Sequence, residues 1–195
     1  MKRHSNLIRV AILCSAMALT VGASAQGGPD PRALIAAQQQ AIAPLAFMDG
    51  EWRGTASTTL PDGSKHVITQ TERVGSFLDG AVKVVEGRGY DADGTVVFNA
   101  LGVVYFDQAR KVLRFQTHAM GRAGDYSFTP TADGFVWEIP AGPATVRYTA
   151  TIKGGKWHEV GDRVMPGAPD ARFFEMTLQR IGDSPWPAAG AVPSQ

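Results

Sequence analysis

Short runs rich in Val, Thr, Phe and Tyr recur along most of the chain, and polar and apolar residues alternate within them. Turn signals such as Pro61-Asp62-Gly63, Ala92-Asp93-Gly94 and Lys153-Gly154-Gly155 separate the runs. Alternation with a period of two indicates strands with one buried face. The pattern predicts ten strands, at residues 51–59, 65–74, 81–90, 95–106, 111–119, 124–129, 134–139, 144–153, 156–165 and 171–181.

The short connections favour simple up-and-down order, and closure into a barrel would remove the exposed strand edges. A short helix is expected before the strands, because Asp30-Pro31 is a typical helix start and the residues up to Ile42 are rich in Ala, Gln and Leu. We therefore predict an all-β fold: a single antiparallel up-and-down barrel of about ten strands with a short N-terminal helix.

The N-terminus carries the parts of a secretory signal peptide: a basic start, an apolar run from Ile8 to Val21, and Ala23-Ser24-Ala25 before Gln26. The sequence thus predicts a signal peptide at 1–25, a leader and helix at 26–44, a barrel domain at 45–181 and a disordered tail at 182–195. We expect a periplasmic or secreted protein that is not inserted in the membrane once the signal is cleaved.

Composition narrows the possible partners. The only cysteine, Cys14, lies in the predicted signal peptide, so the mature domain has to be held together without disulfides. The 19 Lys and Arg nearly balance the 18 Asp and Glu, and cleavage would remove Lys2, Arg3 and Arg9. A slightly acidic mature chain gives no reason to expect a nucleic-acid partner.

The stretch DGEWRGT, residues 49–55, places Trp52 between two glycines at the start of the first predicted strand. If Trp52 points inward, Gly50, Gly54 and Ala56 share its face. An indole that fills the closed end of a small barrel needs small neighbours on its own strand, and glycine permits sharp coiling. We predict that Trp52 plugs one end of the barrel.

The pattern Gly50-x-Trp52-x-Gly54-x-Ala56 resembles the calycin superfamily, which includes lipocalins, fatty-acid-binding proteins and nitrobindin-like barrels. It is close to the Gly-x-Trp-x-Gly-x-Gly of nitrobindin-like proteins and departs from it at Ala56. The run from Leu45 to Leu178, with ERVGSFLDG and FEMTL, is similar to a group of exported bacterial lipocalin-like domains. The resemblance implies a barrel with an internal cavity for a small apolar ligand or, as in nitrobindins, haem.

Haem in those relatives needs a histidine inside the barrel. Alternation places His118 and His158 on the outside, and His66 sits beside a turn. We therefore expect no haem and no other cofactor, and no motif indicates a metal site.

The alternation also identifies candidate residues for the barrel interior, which is mostly apolar and aromatic. Val82, Val84 and Glu86 are expected to face inward on their strand, and Gln70 and Glu72 on theirs. Two carboxylates inside would bind a polar group or act as general acid and base, whereas at an open rim they would lie in water. The candidate ligand-binding residues are Trp52, Glu72, Glu86, Phe115, Trp137, Tyr148 and Met176.

These features favour an exported, non-enzymatic protein that holds a small apolar or amphipathic ligand inside a β-barrel. The alternatives are an enzyme that uses an interior carboxylate as acid or base, and a filled barrel with a structural or interaction role. The strand at Thr95 to Phe106 is apolar on both faces. Either the N-terminal helix covers its outer face or a second subunit does, so a homodimer is an open possibility.

Overall fold

The computed structural model describes residues 28, 30–184 and 186, so the predicted signal peptide lies outside it. The described part contains no helix long and apolar enough to span a membrane. The elements are α1 (Pro31–Ile42), a 3₁₀ helix (Ala43–Met48), β1 (Gly50–Thr59), β2 (Lys65–Phe77), a short 3₁₀ turn (Leu78–Gly80), β3 (Val82–Tyr90), β4 (Val96–Asp107), β5 (Val112–Ala119), β6 (Arg122–Thr131), β7 (Gly134–Ala141), β8 (Ala144–Lys153), β9 (Lys156–Val164) and β10 (Ala171–Gly182).

Each strand pairs antiparallel with its neighbours in sequence, and β1 also pairs with β10, so the ten strands form a closed barrel. The predicted all-β, up-and-down barrel with a short N-terminal helix is confirmed. Strand positions agree closely with the alternation, except that β6 extends beyond the predicted residues 124–129 at both ends and β2 continues past residue 74 to Phe77. Closure leaves the sheet without a free edge at which another chain could pair.

The N-terminal helix begins and ends largely as the sequence indicates. The Asp30 side chain accepts a hydrogen bond from the backbone N–H of Arg32 and caps the helix, and Pro31 occupies its first turn. The chain does not leave the helical path at Pro44, however, but continues as the 3₁₀ helix. Leu45 and Met48 of that helix are almost completely buried, together with Ile42. This segment therefore closes one end of the barrel.

Trp52 lies at that closed end, as predicted. Its indole Nε1 donates a hydrogen bond of 2.9 Å to the backbone carbonyl of Met48, and its ring meets Trp157 edge to face at 5.7 Å. The side chain is only 2% exposed. Burial of such an indole contributes several kcal/mol, roughly 3 or more, to folding. Trp52 thus joins the 3₁₀ helix to the barrel core.

Lys83 is an unexpected member of the closed end. It faces inward on β3 with 1% of its surface exposed, and its Nζ donates to Asp49 Oδ1 at 2.6 Å and Ser76 Oγ at 2.8 Å. A buried ammonium needs such partners, because removal from water is costly. The pair ties the chain just before β1 to β2 and β3.

On β3, the inward-facing and outward-facing positions are the reverse of those predicted. Val82 and Val84, expected inside, face outward, and the inner face carries Lys83, Val85 and Gly87. Alternation assigned these two apolar side chains to the wrong face because α1 packs against the outside of β3 and β4. Apolar residues on that outer face gain from burial as well.

The outer face of β4 is only partly covered. The helix α1 contacts β4, and Gln108, just after β4, donates to the backbone carbonyl of Leu34. Val96 and Leu101 nevertheless remain 49% and 44% exposed. The helix thus accounts for part of the apolar outer face, and association of two copies stays a prediction.

The residues after β10 return to the barrel wall. Ser184 Oγ donates a hydrogen bond to the Val74 carbonyl, and the Trp186 ring lies against Phe77 at 4.6 Å and under the Arg73 guanidinium at 4.4 Å. The first part of the segment predicted as a disordered tail therefore covers the outside of β2. The rest of that segment, apart from Trp186, lies outside the described residues.

Replacing Gly54 by alanine should destabilise the protein by roughly 2–3 kcal/mol, because overpacking displaces neighbouring groups. A Cβ at Gly54 would lie 2.0 Å from the backbone carbonyl oxygen of Thr177 on β10, which cannot swing away. Gly182→Ala is the matched control, since a Cβ there meets only a Glu51 oxygen at 4.0 Å. Urea unfolding measures both variants, and equal stabilities would contradict the close approach at the β1–β10 seam.

Candidate functional site

The interior of the barrel divides into two halves. In the half next to the 3₁₀ helix, the inward-facing side chains are almost completely buried, with Val74, Val104 and Leu178 at 0% exposure. In the opposite half, inward-facing aromatic residues such as Trp137 and Phe174 keep accessible surface. We call this second half, which is bordered by the hairpin turns farthest from the 3₁₀ helix, the open half of the barrel.

Aromatic rings form the wall of the open half. Trp137 and Tyr148 stack on neighbouring strands with ring centroids 4.3 Å apart and an interplanar angle of 8°. Phe115 meets Trp137 edge to face at 5.3 Å, and Phe174 meets Tyr148 at 5.7 Å. These contacts lock the rings against each other, which favours a pre-formed surface. We call Phe115, Trp137, Tyr148 and Phe174 the aromatic wall.

Glycines on the inner face make room for these rings. A Cβ at Gly102 would lie 2.3 Å from the Phe115 ring, and a Cβ at Gly161 would lie 2.9 Å from the Tyr148 ring. The rings therefore lean directly on the backbone of adjacent strands. Much of the interior is therefore filled by side chains.

Glu159 joins the aromatic wall to the closed half. It is 6% exposed, and each of its carboxyl oxygens accepts a hydrogen bond from an indole N–H. Trp137 Nε1 donates to Oε1 at 3.1 Å and Trp157 Nε1 donates to Oε2 at 3.0 Å. Both indole N–H groups are thus satisfied by one carboxyl group, which fixes its position.

Glu72 is the second interior carboxyl group. It lies deep in the barrel, where its Oε1 accepts a 2.7 Å hydrogen bond from Gln70 Nε2 and its carboxyl group rests where a Cβ at Gly87 would otherwise stand. Glu72 Oε2 has no hydrogen-bond partner among residues 30–184, but this oxygen is not fully buried. It therefore keeps some accessible surface.

Burial dominates the electrostatics of this interior. It raises the pKa of Glu72 to about 8, opposed by the hydrogen bond from Gln70 and reinforced by the negative charges of Glu159 and Glu86. Burial also raises the pKa of Glu159, against the effect of its two indole donors. The pKa of Tyr148 rises to about 12 through burial and the charge of Glu159. At neutral pH Glu72 is thus mostly protonated.

Most of the candidate residues from the sequence lie inside. Trp137, Tyr148 and Phe115 meet in the aromatic wall, while Met176 and Trp52 are buried at 4% and 2% exposure. Glu72 faces inward between Trp52 and Gly87 on the neighbouring strands. Trp52 belongs to the closed end, so it supports the site without bordering the open space.

Glu86 is the exception, and its predicted inward position is wrong. Because β3 has the opposite phase, Glu86 lies on the outer face, where Arg73 Nη2 donates to its Oε2 at 2.7 Å and Arg88 Nη2 reaches its Oε1 at 3.5 Å. The interior acid pair is therefore Glu72 with Glu159 rather than Glu72 with Glu86.

The sequence contained a signal for Glu159. The alternation that places His158 outside also places its two neighbours, Trp157 and Glu159, on the inner face. A single glutamate between hydrophobic neighbours carries no further motif, so its two indole partners, one of them on β7, are visible only in the fold.

The three described histidines are poorly placed for an axial haem ligand. His158 Nε2 is bonded to Glu175 at 3.1 Å on the outer face, and His66 Nε2 to Asp91 at 2.7 Å beside a turn. His118 is exposed on β5. Histidine coordination of haem inside the barrel therefore does not fit these residues, and no group of three potential ligands for a metal ion occurs in the described chain.

Comparison with known proteins supports the fold alone. No family model and no curated protein matches the chain. Among solved structures, the crystal structure of Rv2717c from M. tuberculosis is similar with a TM-score of 0.54 and 13% sequence identity, over 72% of this chain and 97% of that chain. Fold and site together define a closed ten-stranded antiparallel barrel with an aromatic and acidic interior.

The raised pKa of Glu72 predicts that stability falls as pH rises from 4.5, the ordinary value, to about 8, because the folded state keeps a proton that the unfolded state releases. The loss should reach at most roughly 4 kcal/mol. Glu72→Gln should weaken this dependence, leaving a remainder from Glu159. Urea unfolding at about pH 5 and about pH 8.5 measures it.

Glu86→Gln is the matched control, because Glu86 lies on the outer face and its loss should change stability by only about 0–1 kcal/mol. It should keep nearly all of the pH dependence of the unmodified protein, because the charge of Glu86 is the smallest of the effects on the pKa of Glu72. An identical pH dependence in Glu72→Gln would show that Glu72 is not the buried acid.

Proposed function

We propose that this protein is a calycin-like binding protein that holds a small apolar or amphipathic molecule in the open half of its barrel. The observation that carries the proposal is that the aromatic wall and the Glu72 carboxyl group both face the interior, where polar atoms lack protein partners. Glu72 Oε2 and the Tyr148 hydroxyl both lack a hydrogen-bond partner among the described residues while retaining accessible surface.

Such an arrangement suits a ligand with two parts. Apolar and aromatic surface dominates small-molecule sites, and a few placed polar groups fix orientation. The aromatic wall would take the apolar part, while Glu72 and Tyr148 would meet a polar end. The fully packed closed half, with Trp52 at its base, would supply a rigid floor.

Entry would occur between the turns at the open end. The β9–β10 connection at 165–170 belongs to this end, and Met165 within it is 42% exposed. The β5–β6 turn at Met120 and Gly121 lies at the same end. Since loops are the most mobile parts of such a barrel, they would regulate access without disturbing the floor.

The location we propose is outside the cytoplasm, in the periplasm or the medium. The support is the sequence at 1–25, with its basic start, apolar run and Ala23-Ser24-Ala25. A core built without any cysteine after residue 14 is compatible with either compartment.

A second candidate function is acid–base catalysis by Glu72. The observation that favours it is its pKa of about 8, which lies close to neutral pH, where a general acid or base is most effective. A catalytic role would require substrate to reach Glu72 Oε2, so it depends on the same open space as binding does.

Val146→Trp should abolish ligand binding. Val146 faces inward on β8, two residues before Tyr148 towards the open end, so an indole there would obstruct the entrance. We expect the uncharged dye N-phenyl-1-naphthylamine to gain fluorescence with the unmodified protein and to lose at least about tenfold in affinity with the variant. Fluorescence titration measures both.

Thr151→Trp provides the matched control, because Thr151 is exposed on the outer face of the same strand. It should bind the dye like the unmodified protein. A dye that binds neither the unmodified protein nor the control would favour the filled barrel, and so would native mass spectrometry that finds only the bare chain after gentle purification.

A further inference from the structure

We propose that the ligand is an amphipathic organic amine, whose ammonium group is held by Glu72 together with Glu159 and whose apolar part lies against the aromatic wall. This inference rests on the proposed function and names the ligand class for the same site. It follows from three properties of the interior: its charge, its hydrogen-bonding character and its aromatic surface.

The first property is an uncompensated pair of acids. Neither Glu72 nor Glu159 forms an ion pair with a described Lys, Arg or His. Lys83, the buried cation, is occupied by Asp49 and Ser76 at the closed end. Buried carboxylates are ordinarily paired with a cation or coordinate one. In the empty barrel Glu72 keeps its proton instead; a bound cation would displace that proton to solvent and pair with the carboxylate left behind.

The second property is an excess of hydrogen-bond acceptors. Both oxygens of Glu159 are held by indole N–H groups, the arrangement that suits an ionised carboxylate, while Glu72 has one oxygen held by Gln70 and one free. The free Oε2 is the unpartnered atom of a deeply enclosed side chain, and once the carboxyl group gives up its proton this oxygen is an acceptor with no donor among the described residues. An ammonium group offers three N–H donors and no acceptor.

The third property is the aromatic wall itself. The Trp137–Tyr148 stack lies directly beside Glu159, because the Trp137 indole that stacks on Tyr148 also donates to Glu159. Organic cations are attracted to the faces of such rings, most strongly when water is excluded. The same wall accepts the apolar part of an amphipathic molecule. The ammonium group and the apolar part of the ligand would therefore be bound side by side.

These properties also disfavour the other amphipathic classes. A fatty acid whose head reached Glu72 and Glu159 would bring a third carboxylate beside them, and repulsion between like charges would weaken its binding. The inward-facing cation Arg163 lies four residues nearer the open end, opposite Val146, too far along the strand to neutralise a head group at that depth. An alcohol can form one hydrogen bond with the protonated Glu72 carboxyl group but brings no charge with which a carboxylate could pair. The predicted order of affinity is therefore amine, then alcohol, then carboxylate.

Competition against N-phenyl-1-naphthylamine tests this order, with octylamine, 1-octanol and octanoate as probes of equal chain length at neutral pH. Octylamine should bind about tenfold more tightly than 1-octanol, and octanoate should be the weakest of the three. Glu72→Gln and Glu159→Gln should each reduce the preference for the amine to less than about threefold. Glu86→Gln on the outer face should leave it unchanged.

The order in which the unmodified protein binds the three probes tests the inference even if a glutamine variant fails to fold. Binding of 1-octanol as tight as that of octylamine, or tighter binding of octanoate, would overturn the inference while leaving the proposed binding function intact. The same holds if the dye binds and none of the three probes displaces it. If the dye itself does not bind, the proposed function and the amine inference both fall.

Discussion

The pairing of β1 with β10 is the constraint on which the rest of the structure depends. It turns ten consecutive hairpin-linked strands into a ring and fixes the width of the interior. At this seam the strands approach so closely that Gly54 has no room for a side chain, while Trp52, two residues earlier, fills the floor. Large and absent side chains thus alternate on one strand because the narrow, closed end needs both.

Alternation and turn chemistry predicted the strands, their order and most of the inward residues, because one face of every strand is buried and the period of two is strict. The method failed on β3, where glycines at 87 and 89 gave the inner face no hydrophobic signal and apolar Val84 faced outward. It also could not supply the partners of Glu159, which depend on strand register. Chemistry inside a barrel depends on such cross-strand contacts, so the site was only half predictable.

The interior acids have to be stabilised by the rest of the barrel. Burying a carboxyl group without a cation costs free energy at any pH at which it ionises, and protonation of Glu72 only limits that cost. The closed half supplies the compensation, through apolar residues such as Val74, Val104 and Leu178 that are fully removed from water. The packed half of the barrel thus stabilises the fold and offsets the cost of the buried acids.

The two acids differ in a way that distinguishes structure from function. Glu159 has every oxygen satisfied by an indole and would fulfil a purely structural role by fixing Trp137 and Trp157. Glu72 is satisfied on one side only, although Gly87 leaves it the space to lie against the wall. If stability alone determined this position, an apolar side chain of similar size would serve better, because it carries no desolvation cost. The half-satisfied acid is therefore best explained by a partner that the fold itself does not provide.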